Sequence, residues 1–523
     1  LITQAKIKLC AAGLAGLCLI CLAGCDADFF YPDILEPAAT PSPEIITPIP
    51  AALPDQKPNI NAFGIAYTPP LKKGFDPLGD DRPYNGMAAR LCYEGLFELN
   101  ENLAPVPLLA EGYATEDNIT YTVKIKKTAA FWDGSPVRAD DAVYSLNKAK
   151  EGKRYSERLA NMASAQPDGK NSLIITMNAP VFNAMALLDV PIVKKGSSGN
   201  SVGSGPYRLS KGEDGDFLLA NKRWHLSQEP LAIGRIELIK AHKPDDLARG
   251  FSQKHISVLS IDPYATVSPG IQAGDRRSYH IPAIQIIGFN FKKASLGNSP
   301  ALRRGLTLAT DRQGLMQQVY GGYTLPCGIP FPPYSEFYNA EGDDKTRFQL
   351  NKAKELLSGF SGQLDLIVDN SSPYRIQAAE LYASMMKKQL KISINVRVLG
   401  WDAFQQALNS GGFDMYFAEI NISPNFSPRT LLSPQGAGGI LNFGKYGSKE
   451  MNKAIHALET AVGKKALVDA VEAFTSLFAD QAPFIVLGFR KGQVFSQFGQ
   501  TEGLEPSYCN PYRNWQNVSV NLR

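Results

Sequence analysis

Side chains able to do covalent or metal chemistry are present in this chain, but their spacing does not arrange them to act. Gly199-Asn200-Ser201-Val202-Gly203 fits the G-x-S-x-G pattern, and a nucleophile elbow requires a buried strand running straight into its serine. Lys194-Lys195-Gly196-Ser197-Ser198 stand there instead, so the segment reads as a surface loop. Cys18 and Cys21 imitate a redox pair inside an apolar run. Cys92, Cys327 and Cys509 are too far apart for a disulfide framework or metal-ligand spacing, and which of them pair, if any, stays open. His225, His242, His255, His280 and His456 are scattered, with no helical i, i+4 pair. No carboxylate pair, triad or metal cluster stands out. These residues therefore suggest no catalytic centre, resident metal or cofactor.

Binding surfaces need elements to hold them. A chain of 523 residues, 44% of them apolar, buries a large core and divides into two or three domains. Its formal charge is +4, about +2 once Lys6 and Lys8 are discounted, which is no footprint for nucleic acid. Ile119, Tyr121, Val123 and Ile125 alternate with Thr120, Thr122, Lys124 and Lys126, the pattern of a half-buried strand. Asp133-Gly134-Ser135-Pro136 breaks it. Ala139, Ala142, Val143, Leu146 and Ala149 then recur at helical spacing, with Asp140 and Asp141 in the first turn and Lys148 and Lys150 in the last. Ile284 to Phe291 reads as a strand. Leu364 to Val368, Tyr374 to Leu390 and Ile392 to Val398 read as strand, helix and strand, a crossover unit that favours a parallel pair. Two helical patterns follow (Met451, Ile455, Leu458, Val462; then Val468, Val471, Phe474, Leu477, Phe478), and an apolar strand, Phe484 to Leu487, closes the α/β region.

Four blocks within this frame carry a resemblance. Tyr93-Glu94-Gly95-Leu96, Pro107-Leu108-Leu109-Ala110-Glu111, Phe131-Trp132-Asp133-Gly134 and Ala139-Asp140-Asp141-Ala142-Val143-Tyr144-Ser145 follow one another as in the family 5 extracellular solute-binding proteins. These are the oligopeptide-, dipeptide- and nickel-binding lipoproteins of ABC importers. Phe75-Asp76-Pro77, Gly203-Ser204-Gly205-Pro206-Tyr207, Asn221 to Trp224, Ala301 to Leu306 and Ala309-Thr310-Asp311-Arg312 resemble further family blocks. The arginines and aspartate of the last two are expected in exposed ion pairs worth about 0–1 kcal/mol each. The resemblance implies an α/β fold of the two-lobed, type II periplasmic-binding-protein kind, a Venus flytrap. Its first lobe takes in 59–85, 200–285 and 488–523, with 86–199 as an inserted subdomain, and its second lobe spans 286–487. A monomer that closes on its ligand by a hinge between lobes is implied.

The same resemblance proposes contacts. Trp401-Asp402-Ala403-Phe404 and Phe413-Asp414-Met415 match family blocks at the family spacing, and in oligopeptide binders the matching tryptophan lines a side-chain pocket. A tryptophan simply buried in the core is the rival reading. Past Asp414 the peptide binders carry Gly-Trp and then an aspartate for the ligand's amine, where this chain has Glu419, Ile420 and Ser423. An ammonium taken from water without a partner costs several kcal/mol. Glu419 supplies the charge if it points into the cleft; otherwise it is a solvated acid. Asn421 and Ser423 offer neutral hydrogen bonds, Arg490 follows the last apolar strand, and Tyr93, Asn290 and Asn442 complete the candidates. Nickel is disfavoured by the scattered histidines, while a metal inside an organic chelate stays open.

At the start, Lys6 and Lys8 precede an apolar run from Leu9 to Leu22, shorter than the roughly 20 residues of a membrane span. This reads as a signal peptide, 1–24. Leu22-Ala23-Gly24-Cys25 resembles a lipobox, which implies a diacylated Cys25 and a permanent membrane anchor; an ordinary secretory leader is the alternative. The proline-dense stretch 25–58 reads as an extended tether. The expected function is capture of a peptide or similar small solute outside the cytoplasm and delivery to an ABC permease and its ATPase. A sensor or interaction lipoprotein on the same fold is the rival.

Overall fold

The computed structural model describes residues 62–521 apart from 72–73, 198–201, 214, 228, 263, 265–270, 272 and 436–437. The leader, the Cys25 motif, the 25–58 stretch and most of the G-x-S-x-G match lie outside the described residues.

One mixed sheet organises the chain. Its strands are β1 (Phe63–Tyr67), β2 (Tyr207–Gly212), β3 (Gly215–Ala220), β4 (Arg235–Lys240), β5 (Val258–Ile261), β6 (Asp275–Phe289), β7 (Thr324–Pro326), β8 (Gln363–Asp369), β9 (Ser393–Leu399), β10 (Met415–Asn421) and β11 (Phe484–Ser496). In space they run β9-β8-β10-β6-β11-β5-β1-β4-β3-β2, with β7 added on β11. The two long strands join the ends of this order. β6 and β11 pair antiparallel twice, Asp275–His280 against Ser496–Lys491 and Ile284–Gly288 against Phe489–Phe484, with the register interrupted between His280 and Ile284. The first stretch lies beside β5 and the second beside β10 and β7. Both strands thus cross the positions, 285/286 and 487/488, at which the boundary between lobes is expected. The apolar run at Phe484 continues nine residues beyond Leu487 because nearly every position of β11 is buried, including the polar ones that end the hydrophobic pattern.

The expected crossover is present: Pro373–Leu390 is helical, and β8 pairs parallel with β9 from Gln363↔Ser393 to Asp369↔Leu399. A separate four-stranded sheet holds Ala110–Ala114, Thr120–Ile125, Ser172–Met177 and Met162–Pro167, in that spatial order. Tyr121, Val123 and Ile125 are its buried alternates. The helix Ala139–Glu151 packs on it through Ala139, Ala142, Leu146 and Ala149, and the Asp141 carboxylate accepts from the Arg138 N–H at 2.9 Å to close its first turn. On the last long helix, Lys464–Gln481, Val471, Phe474 and Phe478 are buried but Val468 is 53% exposed, so the apolar stripe starts one turn later than the sequence suggests.

Two corrections concern buried groups. Arg303 and Arg312 do not form exposed ion pairs. Arg303 donates to the carbonyls of Gln481, Ala482 and Gly297 at 2.8, 3.1 and 3.1 Å, and Arg312 to those of Val486 and Thr346 at 2.6 and 2.7 Å. Burial pushes the Arg312 guanidinium down to about 10. Both tie helices to backbone that would otherwise be left unsatisfied. Cys92, Cys327 and Cys509 are all free and buried, and desolvation raises the Cys509 thiol to about 12, so they act as small apolar side chains.

The β6–β11 ribbon tolerates no added bulk at Gly492. A Cβ there would lie 2.3 Å from Tyr279 Cζ, and Tyr279 is itself 1% exposed. Gly492→Ala is expected to destabilise the protein by about 1–3 kcal/mol, read as a lowered urea midpoint with an unchanged m-value.

Candidate ligand-binding site

Alternation along β6 and β10 sets up the site. Ile287 and Phe289 of β6 and Met415 and Phe417 of β10 belong to one buried core and face each other as Ile287↔Phe417 and Phe289↔Met415. The next pair along the same face is Gln285↔Glu419. An apolar row therefore ends in a polar step, where the Gln285 amide donates to Glu419 Oε2 at 2.9 Å. Arg490 enters from β11. Its Nη1 donates to Glu419 Oε1 at 2.7 Å and its Nη2 to Asp262 Oδ1, just past the end of β5. The side chains of Arg490, Asp262 and Glu419 are 3%, 3% and 9% exposed. Burial alone would raise the Glu419 carboxyl, but the charges of Arg490 and Arg375 and the hydrogen bonds from Gln285 and Arg490 outweigh it and hold the group below its usual 4.5.

Aromatic rings surround this ion cluster. The Arg490 guanidinium stands 5.4 Å from the Tyr264 ring, whose neighbours are Tyr374 at 4.8 Å, Tyr320 at 5.1 Å and Tyr323 at 5.9 Å. The Tyr264 hydroxyl donates to the Tyr320 carbonyl. Burial, and next the Glu419 charge, push the Tyr320 phenol well above its ordinary value. Arg375 is paired with Asp369 at 3.1 Å.

Of the candidates from sequence, Glu419 and Arg490 meet directly, and the half-buried Asn421 and Ser423 continue from β10 beside them. The Ser423 hydroxyl is buried with no hydrogen-bond partner among the described residues. Trp401 opens the helix Trp401–Ser410, half-buried, its ring stacked on Phe404 at 6.1 Å. Asn290 and Asn442 are occupied elsewhere: Asn290 donates to the Gly411 and Phe413 carbonyls at 3.1 and 2.9 Å, and Asn442 to those of Ser433 and Tyr446 at 2.9 and 2.8 Å. Tyr93 lines a separate cavity of about 60 Å³ with Arg90, Glu94, Glu98 and Trp515. Sequence reasoning missed Asp262, Tyr264, Gln285 and Tyr320. The usable signals were a lone glutamine inside Ile284–Phe289 and an aspartate closing the buried strand before it.

With this geometry in hand, comparison places the chain. The description "Bacterial extracellular solute-binding proteins, family 5 Middle" matches residues 104–441. The chain belongs to that family. These proteins serve ABC importers. This family 5 protein is 24% identical over 368 residues to the glutathione-binding protein GsiB of Salmonella choleraesuis, covering 64% of this chain and 69% of that one. It is 23% identical over 492 residues to the oligopeptide-binding protein AppA of Bacillus subtilis, covering 82% and 85%. A putative peptide binding protein AppA from Clostridium difficile superposes with a TM-score of 0.69 at 18% identity, over 88% of this chain and 100% of that one. The two-lobed, type II α/β fold follows. Among the described residues no helix is long and apolar enough to cross a membrane, and no group of three or more His, Cys, Asp and Glu can hold a metal ion.

Removing the guanidinium strands two buried carboxylates. Arg490→Ala is expected to cost about 3–5 kcal/mol at neutral pH. Because the folded Glu419 carboxyl lies below 4.5, its contribution is present above that pH and fades as the pH falls through the folded value. Without Arg490, burial favours the protonated acid. Urea unfolding at pH 7 and at pH 4 should therefore show the gap between wild type and variant narrowing in acid; an equal gap at both would remove Glu419 from the account.

Proposed function

We propose that this protein is a membrane-anchored receptor that captures a peptide or a similar small solute between its two lobes and passes it to an ABC permease. The observation that carries the reading is the β6–β11 ribbon. Two neighbouring strands run through both halves of the main sheet, and their register is interrupted between His280 and Ile284, a layout suited to hinge bending. In the proposed division the first lobe takes 59–85, 200–285 and 488–523, with 86–199 inserted, and the second takes 286–487. Names among the relatives, glutathione-binding and oligopeptide-binding, support a peptidic solute. Trp401, Asn421 and Ser423 are the proposed wall of the cleft, and Glu419 with Arg490 its charged floor. Cys25, lipidated, would fix the receptor to the membrane, with 25–58 as spacer.

Two experiments bear on this. Mass spectrometry of small molecules released from the purified protein, followed by thermal unfolding with di- to pentapeptides, should identify a solute that raises the melting temperature in proportion to the logarithm of its concentration. A peptide set that leaves the melting temperature unmoved at millimolar concentration counts against peptide import. For the anchor, Cys25→Ser should shift the protein from the membrane fraction to the soluble extracytoplasmic fraction; a variant still pelleting with membranes would exclude the thioether lipid.

A further inference from the structure

Two loops of the segment 86–199 reach across to residues beyond 330. Asn118 lies in the turn before the strand Thr120–Ile125 with φ of +54°, a left-handed conformation that asparagine tolerates better than most residues. The turn fixes it there. Thr115 Oγ1 accepts from the Asn118 N–H at 3.0 Å, and Asp117 Oδ1 accepts from the Ile119 and Thr120 N–H groups at 2.8 Å each. So held, the Asn118 side-chain amide donates to the carbonyls of Glu459 and Ala461 at 2.9 and 2.8 Å. These carbonyls end the helix Lys449–Thr460, and carbonyls at a helix C-terminus have no partner within their own helix. A side chain of one segment therefore caps a helix of another.

The second loop is wedged in beside the first. The Phe182 ring, 2% exposed, stands 4.6 Å from that of Phe337 and 5.9 Å from that of Phe331, and its carbonyl accepts from the Asn425 amide at 2.9 Å. Asn183, next in the chain, is again left-handed at φ +45°. The Val181 N–H donates to the Asn118 carbonyl at 3.1 Å, so the two loops brace each other. Elsewhere the segment is fastened to 200–285. The Tyr207 and Gly205 N–H groups donate to the Leu91 and Cys92 carbonyls at 2.8 and 3.0 Å, and the buried Glu94 accepts from Trp224 Nε1 at 2.9 Å and meets His225 Nε2 at 2.8 Å. Any hinge motion thus carries 86–199 along with 200–285, and its contacts with Phe331, Phe337, Asn425, Glu459 and Ala461 are made in one arrangement of the lobes and lost in another.

We propose that Asn118 and Phe182 are positioning residues that latch the two lobes shut, so that the inserted subdomain sets how firmly the receptor closes on any solute. The assignment rests on the reading of two lobes joined by a hinge, and it goes further by naming what holds them together independently of the solute. Contacts made only in the closed form contribute their whole free energy to its population, and a solute that requires closure loses apparent affinity in step with the closed fraction. Of the two contacts the ring is the stronger. On opening, the Asn118 amide and its two carbonyls recover hydrogen bonds from water, whereas the Phe182 ring is bared with nothing to replace its neighbours.

The test measures distances between spin labels on the full chain, as purified and after dialysis. Labels go on Lys127→Cys and Lys352→Cys, both exposed positions, while Cys92, Cys327 and Cys509 are buried. Asn118→Asp keeps a residue that accepts a positive φ and removes the donor; it should lower the ratio of short to long distances about three- to tenfold. Phe182→Ala should lower it by at least about tenfold, and Phe182→Leu, which keeps an apolar filling, should restore most of it, all with unchanged circular dichroism. Should Phe182→Ala fail to fold, Asn118→Asp alone decides. A lowered melting temperature with unaltered distances marks a merely structural role and overturns the proposal. Two distances exchanging in the same proportion in the parent and both variants overturn it as well while leaving the two-lobed receptor standing; one distance common to all of them, before and after dialysis, takes the hinge down too.

Discussion

A single guanidinium decides how the halves of this molecule meet. Arg490 sits on β11, Asp262 just past β5 and Glu419 on β10, so one side chain ties three segments in the middle of the main sheet. Taking these charges out of water carries a desolvation cost of several kcal/mol per ion. Their mutual attraction offsets that cost only if the geometry is kept. A conformational change at this junction therefore has to carry all three groups together or expose them to water, which turns a local cluster into a constraint on the path of any hinge motion.

The strands on which the cluster rides are interrupted beside Arg490 itself. β6 and β11 lose register between His280 and Ile284, with Pro282 inside the gap, and again between Gln285 and Ile286. Proline lacks the donor that a ladder needs, and interrupted register permits twist and bend. His280 stacks on Tyr334 at 3.9 Å within this stretch, and burial lowers its imidazole to about 4, so it remains neutral at physiological pH and adds no charge to the bend. The ribbon thus carries its ionic knot at the break itself, since Arg490 is the β11 residue between the two paired stretches and Lys491 stands opposite His280.

Much of this architecture was legible in the chain. The 119–125 alternation, the helix beginning at Ala139 and the crossover from Leu364 to Val398 appear as expected, because in each the hydrophobic period matches one buried face. What escaped notice shares one cause, burial on both faces. β11 reads as an apolar strand only to Leu487, since Arg490, Lys491 and Gln493 are polar, yet the strand continues to Ser496. Arg303 and Arg312 look like surface charges and are buried clamps on carbonyls. Periodicity reports where water is excluded on average; it does not report a polar side chain whose buried partners come from remote segments.

The candidate site follows the same logic and was half legible. Glu419 and Arg490 were named as separate polar groups, one for the ligand and one for the cleft wall, and 71 residues separate them. In space they satisfy each other, so neither offers a free charge to a solute. The second carboxylate that Arg490 holds, Asp262, lies 157 residues before Glu419 and 228 before Arg490, beyond the reach of any spacing argument. Charge balance is a property of the assembled junction. Counting acids along one segment identifies an acid; only the fold reveals which carboxylates share a guanidinium.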